Sequence, residues 1–520
     1  MTRVAGFGIA LIAAISLAAF GVVRGTWAVG GSDSSCYGLM AKAFAGGHMQ
    51  PTSALVVDAP WPDAPITFAP GGFIPSTQHP DAAAPICAPG MSVLMAPLAA
   101  VFGPDAIFWL TPIAAAVLVL SAFVIATALA GSAAGATAAI LTATSPIVMY
   151  QAVQPMNDIV TAALWLAAIA AQVRLKADPH RSIAVGILIG LAILVRPNLA
   201  PVAMVLAVIP FIHHRDTNQR LRALAAMIAG ALPGVIAMLW LNRMLYGSAF
   251  SSGYGGIGRL FSASHIQANM ANYSRALFDT QNIVPLIGLL APFVFEGKKR
   301  AGALMLLAVA VVVMGIYLLY EPFPEWWYLR FLIPAIVILL VLASAAATHL
   351  LSRVNMGGLI PIVVVVLAIF GVRAARDHQA FALHDMEGRY RQTGELVRDR
   401  LPANAVLITE WQSGSIRFHS GREVVLWESL DPAWLDRAIT WLKSKGLRPY
   451  ILVERREEAQ FREHFRAQSE AGRLDWPPRF DLNRQARIFD PDDRARYLAG
   501  ESYATEQTGY PRRNQSPRKM

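Results

Sequence analysis

The chain has 520 residues, 55% hydrophobic and only 15% charged, with a net charge of +10. Soluble globular chains carry about 25% charged residues, and the deficit here comes from long uncharged runs, which excludes an ordinary soluble domain. No basic helix or aromatic-basic module accompanies the positive balance, which sets nucleic-acid binding aside and leaves the excess as a topology signal.

Runs of roughly 17–25 apolar residues can cross about 30 Å of hydrocarbon. Such runs are expected near residues 5–28, 106–130, 132–150, 158–174, 182–196, 198–212, 222–243, 281–296, 301–320, 330–351 and 357–373, about eleven spans. With the N-terminus inside, the cytoplasmic segments hold Arg3, then Arg174, Lys176 and Arg181, then Arg215, Arg220 and Arg222, then Lys298, Lys299 and Arg300, then Arg353. Four successive inside loops are basic, as the positive-inside rule requires. The first run could instead be a cleaved signal peptide, but its apolar stretch is long and no strong small-residue cleavage site follows it.

Three regions then fall outside. Residues 30–105 form a first loop, broken by Pro60, Pro65, Pro70, Pro75, Pro80 and Pro85, so long helices are not expected in it. Its end, Pro89 to Gly103, is apolar but short and reads as a helix lying at the membrane surface. Residues 244–280 form a second loop rich in Gly, Ser, Asn and Tyr. Residues 375–500 read as a soluble domain. Within it Ala405–Thr409, Val424–Trp427 and Tyr450–Val453 read as strands and Pro432 to Lys445 as a helix, an alternation that argues a small α/β unit with a parallel sheet. The expected fold is therefore a helical membrane domain over 1–374 followed by a soluble α/β domain over 375–500. The polar, basic residues 501–520 read as a disordered tail.

Charge near lipid is costly, and ionisable residues that persist there are functional candidates by default. On the outer side the layout leaves Asp33 after the first span, Asp158 opening the fourth, Arg196 closing the fifth, and Glu321, Glu325 and Arg330 around the aromatic run Trp326-Trp327-Tyr328. Each has a plainer reading. The aspartates could cap helices, the arginines could snorkel, and the aromatics could be an interfacial belt. The case for function rests on the group: two carboxylates and two guanidiniums from separate segments on one face of the membrane. Moving a sugar from a lipid phosphate to a hydroxyl needs a carboxylate to take the acceptor's proton. It also needs planar guanidinium donors for the departing phosphate.

These segments, in this order, resemble the GT-C glycosyltransferases that use polyprenyl-phosphate sugars, in particular the protein O-mannosyltransferase and aminoarabinose-transferase group. The matching features are Asp33 with Tyr37, Ala41 and Gly46, Pro89-Gly90, Ser145-Pro146 leading to Asp158, Arg196-Pro197, Tyr246-Gly247-Ser248 to Gly253-Tyr254, and Arg330 with Pro334. The resemblance implies an inverting hexosyl- or pentosyltransferase working on the non-cytoplasmic face. Asp33 would be the catalytic base and Asp158 would support the acceptor or a metal. Arg196, Arg330 and also Arg259 or Arg275 would bind lipid phosphate. Tyr37, Glu321, Glu325, Trp326 and Tyr254 are further substrate-binding candidates. The family often doubles the acid at the first motif, whereas Ser34 follows Asp33 here. No metal is assigned, and a divalent cation stays open. The implied partners are a polyprenyl-phosphate sugar, a glycan, lipid or protein acceptor, and membrane lipids, in a bacterial inner membrane with the N-terminus cytoplasmic and the C-terminal domain periplasmic.

The chain has 2 Cys, Cys36 and Cys87, both in the first outer loop, where the compartment permits a disulfide. Two unpaired thiols are the alternative, because sequence does not give the Cα separation. Two other classes compete with the enzyme: a lipid or glycan transporter or flippase, and a non-catalytic assembly subunit. Transporters often carry inverted repeats with polar groups at the midplane. Here no repeat is visible and the ionisable residues gather at one face.

Overall fold

The computed structural model describes residues 1–174, 182–213, 216–483 and 485–508. Lys176, Arg181 and Arg215 of the basic inside set, and residues 509–520 of the tail, lie outside them. The chain divides into two compact units, Met1–Thr26 with Ala88–His384 and Trp27–Cys87 with Asp385–Met520.

The first unit is helical. Among the described residues, six helices are long and apolar enough to cross a membrane: Arg3–Val23, Pro104–Ala130, Thr217–Tyr246, Gly297–Leu318, Trp326–Arg353 and Gly357–Asp377. Two bent pairs raise the count to 8: Ser132–Ala143 with Pro146–Ala152, at 59°, and Ala263–Gln281 with Val284–Val294, at 101°. Pro146 and Pro285 lie just past these bends, where proline cannot donate to the preceding turn. Three of the expected spans coincide with shorter apolar helices, Asn157–Val173, Ser182–Val195 and Pro197–Phe211. A helix also covers Gly90–Phe102, the segment read as a surface helix.

Burial sorts these helices into inner and outer ones. In its most apolar 18-residue stretch Trp326–Arg353 has 94% of its residues buried, and Thr217–Tyr246 only 17%. The outer helix nevertheless exposes Ile228, Leu232, Ile236 and Trp240, and Ile360–Asp377 exposes Ile362, Val365, Val366 and Ile369. An apolar face that finds no protein partner is what a hydrocarbon surround requires. The helices Ser182–Val195 and Thr217–Tyr246 approach through small residues. Gly186 and Gly190 on one meet Gly230 and Gly234 on the other. A Cβ on Gly186 would lie 2.1 Å from the Met227 carbonyl oxygen, and one on Gly230 2.2 Å from that of Ile183. Both stretches read Gly-x-x-x-Gly, a spacing that lets helix backbones touch.

The second unit is built on a mixed sheet. Its strands are β1 (Phe73–Pro75), β2 (Ala83–Pro85), β3 (Ala405–Ile408), β4 (Glu423–Val425), β5 (Arg448–Glu454), β6 (Phe480–Leu482), β7 (Ala486–Phe489) and β8 (Glu506–Thr508). β1 and β2 form an antiparallel pair, and the other strands form one sheet in the order β4-β3-β5-β7-β6-β8. The parallel arrangement expected from the sequence holds for β4-β3-β5. It fails beyond, where β7 runs antiparallel to both β5 and β6. The β6–β7 link is too short for a parallel crossover, which needs a dozen residues or more. The tail also departs from expectation: residues 506–508 add β8 beside β6. The first outer loop departs further. Its residues 27–87 belong to this unit rather than to a membrane domain, because Trp61 and Phe68 bury in one core with Val406, Ile408, Val425, Trp427, Phe461 and Phe465. The Leu426 N–H donates to the Thr67 carbonyl at 2.6 Å, in the manner of a further strand contact.

Candidate functional site

In the helical unit, Asp158 lies in the first turn of the helix Asn157–Arg174 and is 1% exposed. Arg196 follows the helix Ser182–Val195, at the turn that Pro197 enforces. Asn157 Nδ2 donates to the Val195 carbonyl at 3.4 Å, tying the two helix ends together. Arg196 donates to Asp158 Oδ1 at 2.7 Å. The second oxygen, Oδ2, is buried and has no hydrogen-bond partner among the described residues.

Aromatic rings surround the pair. The Arg196 guanidinium lies 5.7 Å from the Tyr317 ring centre and 5.2 Å from that of Phe331. Arg330 lies 5.0 Å from the same Phe331 ring and 5.2 Å from that of Tyr328. Phe331 therefore carries two guanidiniums, and stacks on Tyr317 at 5.0 Å with 10° between planes. Asn198 holds the Tyr317 hydroxyl at 3.0 Å. Helix Ile266–Gln281 fixes the chain that follows Tyr317: Asn269 Nδ2 donates to the Leu318 carbonyl at 3.1 Å and Asn272 Nδ2 to that of Phe323 at 3.0 Å. Two cations and one carboxylate on a rigid aromatic floor suit an anionic ligand, because guanidiniums stacked on rings keep their N–H edges for hydrogen bonds.

The structure thus gathers Asp158, Arg196 and Arg330. Arg259 on Ile257–Leu260 and Arg275 on Ile266–Gln281 are solvent-exposed, as are Glu321 and Glu325. Trp326 packs edge-on against Tyr150 at 4.8 Å and lies 4.6 Å from His378, and Tyr254 is half-buried. Tyr317, Phe331, Asn198, Asn269 and Asn272 escaped the sequence reading. The signal for Asn269 and Asn272 was there: amide side chains one turn apart on a helix beside the membrane.

In the sheet unit, Asp33 lies in the first turn of the helix Gly31–Ala45. The N-cap is Gly30, so Asp33 is not the cap, and its charge complements the helix N-terminus. Cys36, one turn later, is disulfide-bonded to Cys87 with a Cα separation of 6.2 Å. Tyr37 is buried. Among the described residues no group of three or more His, Cys, Asp or Glu could hold a metal ion. With Ser34 in place of a second acid, the donor set does not fit a divalent cation, which takes several oxygen ligands.

Residues 83–241, which include Asp158 and Arg196, match the family model of the dolichyl-phosphate-mannose-protein mannosyltransferases. Among solved structures, the chain is similar to ArnT from Cupriavidus metallidurans bound to undecaprenyl phosphate, with 12% identity, a TM-score of 0.57, and coverage of 87% of this chain and 94% of that one. It is also similar to the archaeal oligosaccharyltransferase AglB from Archaeoglobus fulgidus in complex with an inhibitory peptide and a dolichol-phosphate, with 12% identity, a TM-score of 0.50, and coverage of 91% of this chain and 72% of that one. No curated protein matches in sequence. At these identities the likeness establishes the fold: the chain has the fold of the GT-C glycosyltransferases, and it is an integral membrane protein.

Proposed function

We propose that this chain is an inverting glycosyltransferase that moves a sugar from a polyprenyl-phosphate donor to a hydroxyl-bearing glycan, lipid or protein acceptor on the non-cytoplasmic face. The observation that carries the reading is the buried Asp158–Arg196 pair, sharing the Phe331 ring with Arg330, in a fold whose solved example ArnT was captured with undecaprenyl phosphate. In the reaction the bond between the sugar's anomeric carbon and the phosphate oxygen breaks as the acceptor oxygen bonds that carbon from the opposite face. Asp33 takes the acceptor's proton, and polyprenyl phosphate leaves with the bond's electron pair. Arg196 and Arg330 bind the phosphate before and after cleavage, where charge-assisted N–H···O bonds gain as negative charge develops. Asp158 has a different task from that of a second base. Its carboxylate is committed to Arg196, so it aims the guanidinium and offsets part of the cost of burying it. The topology supports a lipid donor, since nucleotide sugars stay in the cytoplasm while this reading places the chemistry outside. It also counts the three short apolar helices as crossings, giving about eleven spans.

The test is transfer by the purified chain in liposomes, supplied with a panel of polyprenyl-phosphate sugars and envelope-glycan extracts. Transfer by wild type that is lost in Asp33→Asn and in Arg196→Ala, at matched folding, is the expected result. No transfer with any donor, together with donor-lipid movement across the bilayer, would replace the reading with that of a flippase.

A further inference from the structure

The helix that carries Asp33 is clamped along one side by the C-terminal half of the sheet unit. Gly414, in the helix Ser413–His419, approaches Ser35 so closely that a Cβ there would lie 2.3 Å from the Ser35 Cβ. Gly72, at φ +91°, admits the Ser32 carbonyl oxygen 2.2 Å from where its own Cβ would be. Ser413 Oγ accepts the Gly71 N–H at 3.0 Å, linking the two contacts. At the other end of the helix, Lys42 Nζ donates to the Phe418 carbonyl at 3.3 Å. Just ahead of it, Val29 N–H donates to His419 Nε2 at 3.4 Å. Burial pushes the His419 ring down to about 3, with Arg391, Lys42 and Arg398 adding to the effect, so the ring is neutral and Nε2 can accept. The result is selective: residues 34–41 are buried, while Asp33 keeps partial exposure.

We infer that the C-terminal α/β domain positions the base, with Gly414 as the positioning residue whose missing side chain sets the seat of the Asp33 helix. This rests on the reading of Asp33 as the base. The contacts fall on Ser32 and Ser35, which flank Asp33, and none of them engages the Asp33 carboxylate. An added methyl at residue 414 meets Ser35 and little else, since the next contact, the Gly71 carbonyl oxygen, is 3.5 Å away. The helix must therefore shift or turn to admit it. A misplacement of about 1 Å costs a reaction about 100-fold without touching the chemistry.

The experiment uses the full chain in nanodiscs, with hydrogen exchange of residues 31–45 read beside transfer from a polyprenyl-phosphate sugar donor. Gly414→Ala is expected to raise exchange in 31–45, leave the membrane helices unchanged, and lower kcat about 100-fold with KM within about twofold. Adding Ser35→Gly removes the clashing atom and is expected to restore both readouts, which a general loss of folding would not allow. Asp33→Asn is expected to abolish turnover with wild-type exchange. Wild-type exchange and kcat in Gly414→Ala would overturn the inference, as would failure of Ser35→Gly to rescue. Full turnover in Asp33→Asn would instead remove the role of Asp33. The exchange data would still show whether Gly414 seats the helix.

Discussion

The two units use charge in different ways. In the sheet unit ionic groups pair with one another many times over. Arg400 joins Glu506, and Arg496 joins Glu501. Such pairs at a water-facing surface contribute about 0–1 kcal/mol each, so a charge there says little about function. In the helical unit Asp158 and Arg196 have side-chain exposures of 0% and 12% and depend on each other. A charge kept under those conditions is costly enough to need a task. The comparison teaches that Asp158, Arg196 and Arg330 can be picked out by physics alone, whereas Asp33 stands in a unit where carboxylates are ordinary. It was singled out by its place just after the first span and by the order of motifs.

The largest expected effect tests that asymmetry at its weak point. Asp33→Asn should lower turnover by roughly 10³–10⁴-fold, the upper range for losing a general base, with donor binding preserved. A carboxylate that is only surface decoration would leave turnover within a few-fold of wild type. Stability comes next. Replacing Cys36 and Cys87 by Ser opens a bridge between residues 51 apart, which in the chain-entropy model costs about 4 kcal/mol. Melting of the sheet unit should fall while that of the helical unit holds. A matching drop in both would mean that the two units do not melt separately.

Arg196→Lys is the next step down. Lysine keeps the charge but loses the planar fork that can hold Asp158, Phe331 and a phosphate oxygen together. A hydrogen bond to a charged group is worth about 1.5–3 kcal/mol, so kcat/KM should fall by about 10–100-fold. The helices should melt as in wild type, because the buried carboxylate keeps a cation. Asp158→Ala strands Arg196 and should destabilise the helical unit by about 3–5 kcal/mol, and Asp158→Ala with Arg196→Met should recover much of that. Equal effects of Asp158→Ala alone and of the double change would break the claim that the pair is one device.

How much of this was legible follows from the same contrast. Apolar runs placed the long helices to within a few residues, because hydrocarbon thickness fixes their length. The strands at 405–408 and 450–453 were legible from unbroken β-branched and aliphatic stretches. What escaped depends on partners distant in sequence. The Gly71–Ser413 hydrogen bond spans 342 positions, and nothing local in residues 27–87 announces that Trp61 and Phe68 complete a core with β3 and β4. β8 reads Glu506-Gln507-Thr508, polar throughout and at the edge of the sheet, where charged and polar side chains blunt an unpaired backbone edge. Arg259 and Arg275 stood beside Arg330 as phosphate-binding candidates without being part of a matching motif, and of the three Arg330 has Phe331 and Tyr328 beneath it. Those two rings flank Arg330 in the chain, so this part of the distinction was visible in the sequence; that Arg196 shares the Phe331 ring was not, because the two residues are far apart in the chain.

The smallest effect bears on the carboxylates of the sheet unit, where ordinary pairing has an exception. Burial pushes Glu410 up to about 7, opposed by the Glu428 N–H that donates to it and reinforced by the charges of Glu428 and Glu457. Glu457 also stands at about 7, chiefly from burial. A carboxyl whose folded value exceeds its unfolded one binds more protons in the folded state. Its contribution is therefore fully present below about 4.5 and is lost as pH rises through about 7. His419, held down to about 3, acts in the opposite sense: it weakens the fold as pH falls through its unfolded value near 6.5. Glu410→Gln keeps an acceptor for the Glu428 N–H, 3.3 Å away in the wild type, and removes the ionisation. It should therefore raise the stability of the sheet unit by about 1 kcal/mol at pH 8 and change little at pH 4.5. Melting curves at the two pH values, read from hydrogen exchange in β3 and β5, would show the gain at the alkaline end only. A gain of equal size at both would assign it to packing, and would return Glu410 to the ordinary carboxylates of its unit.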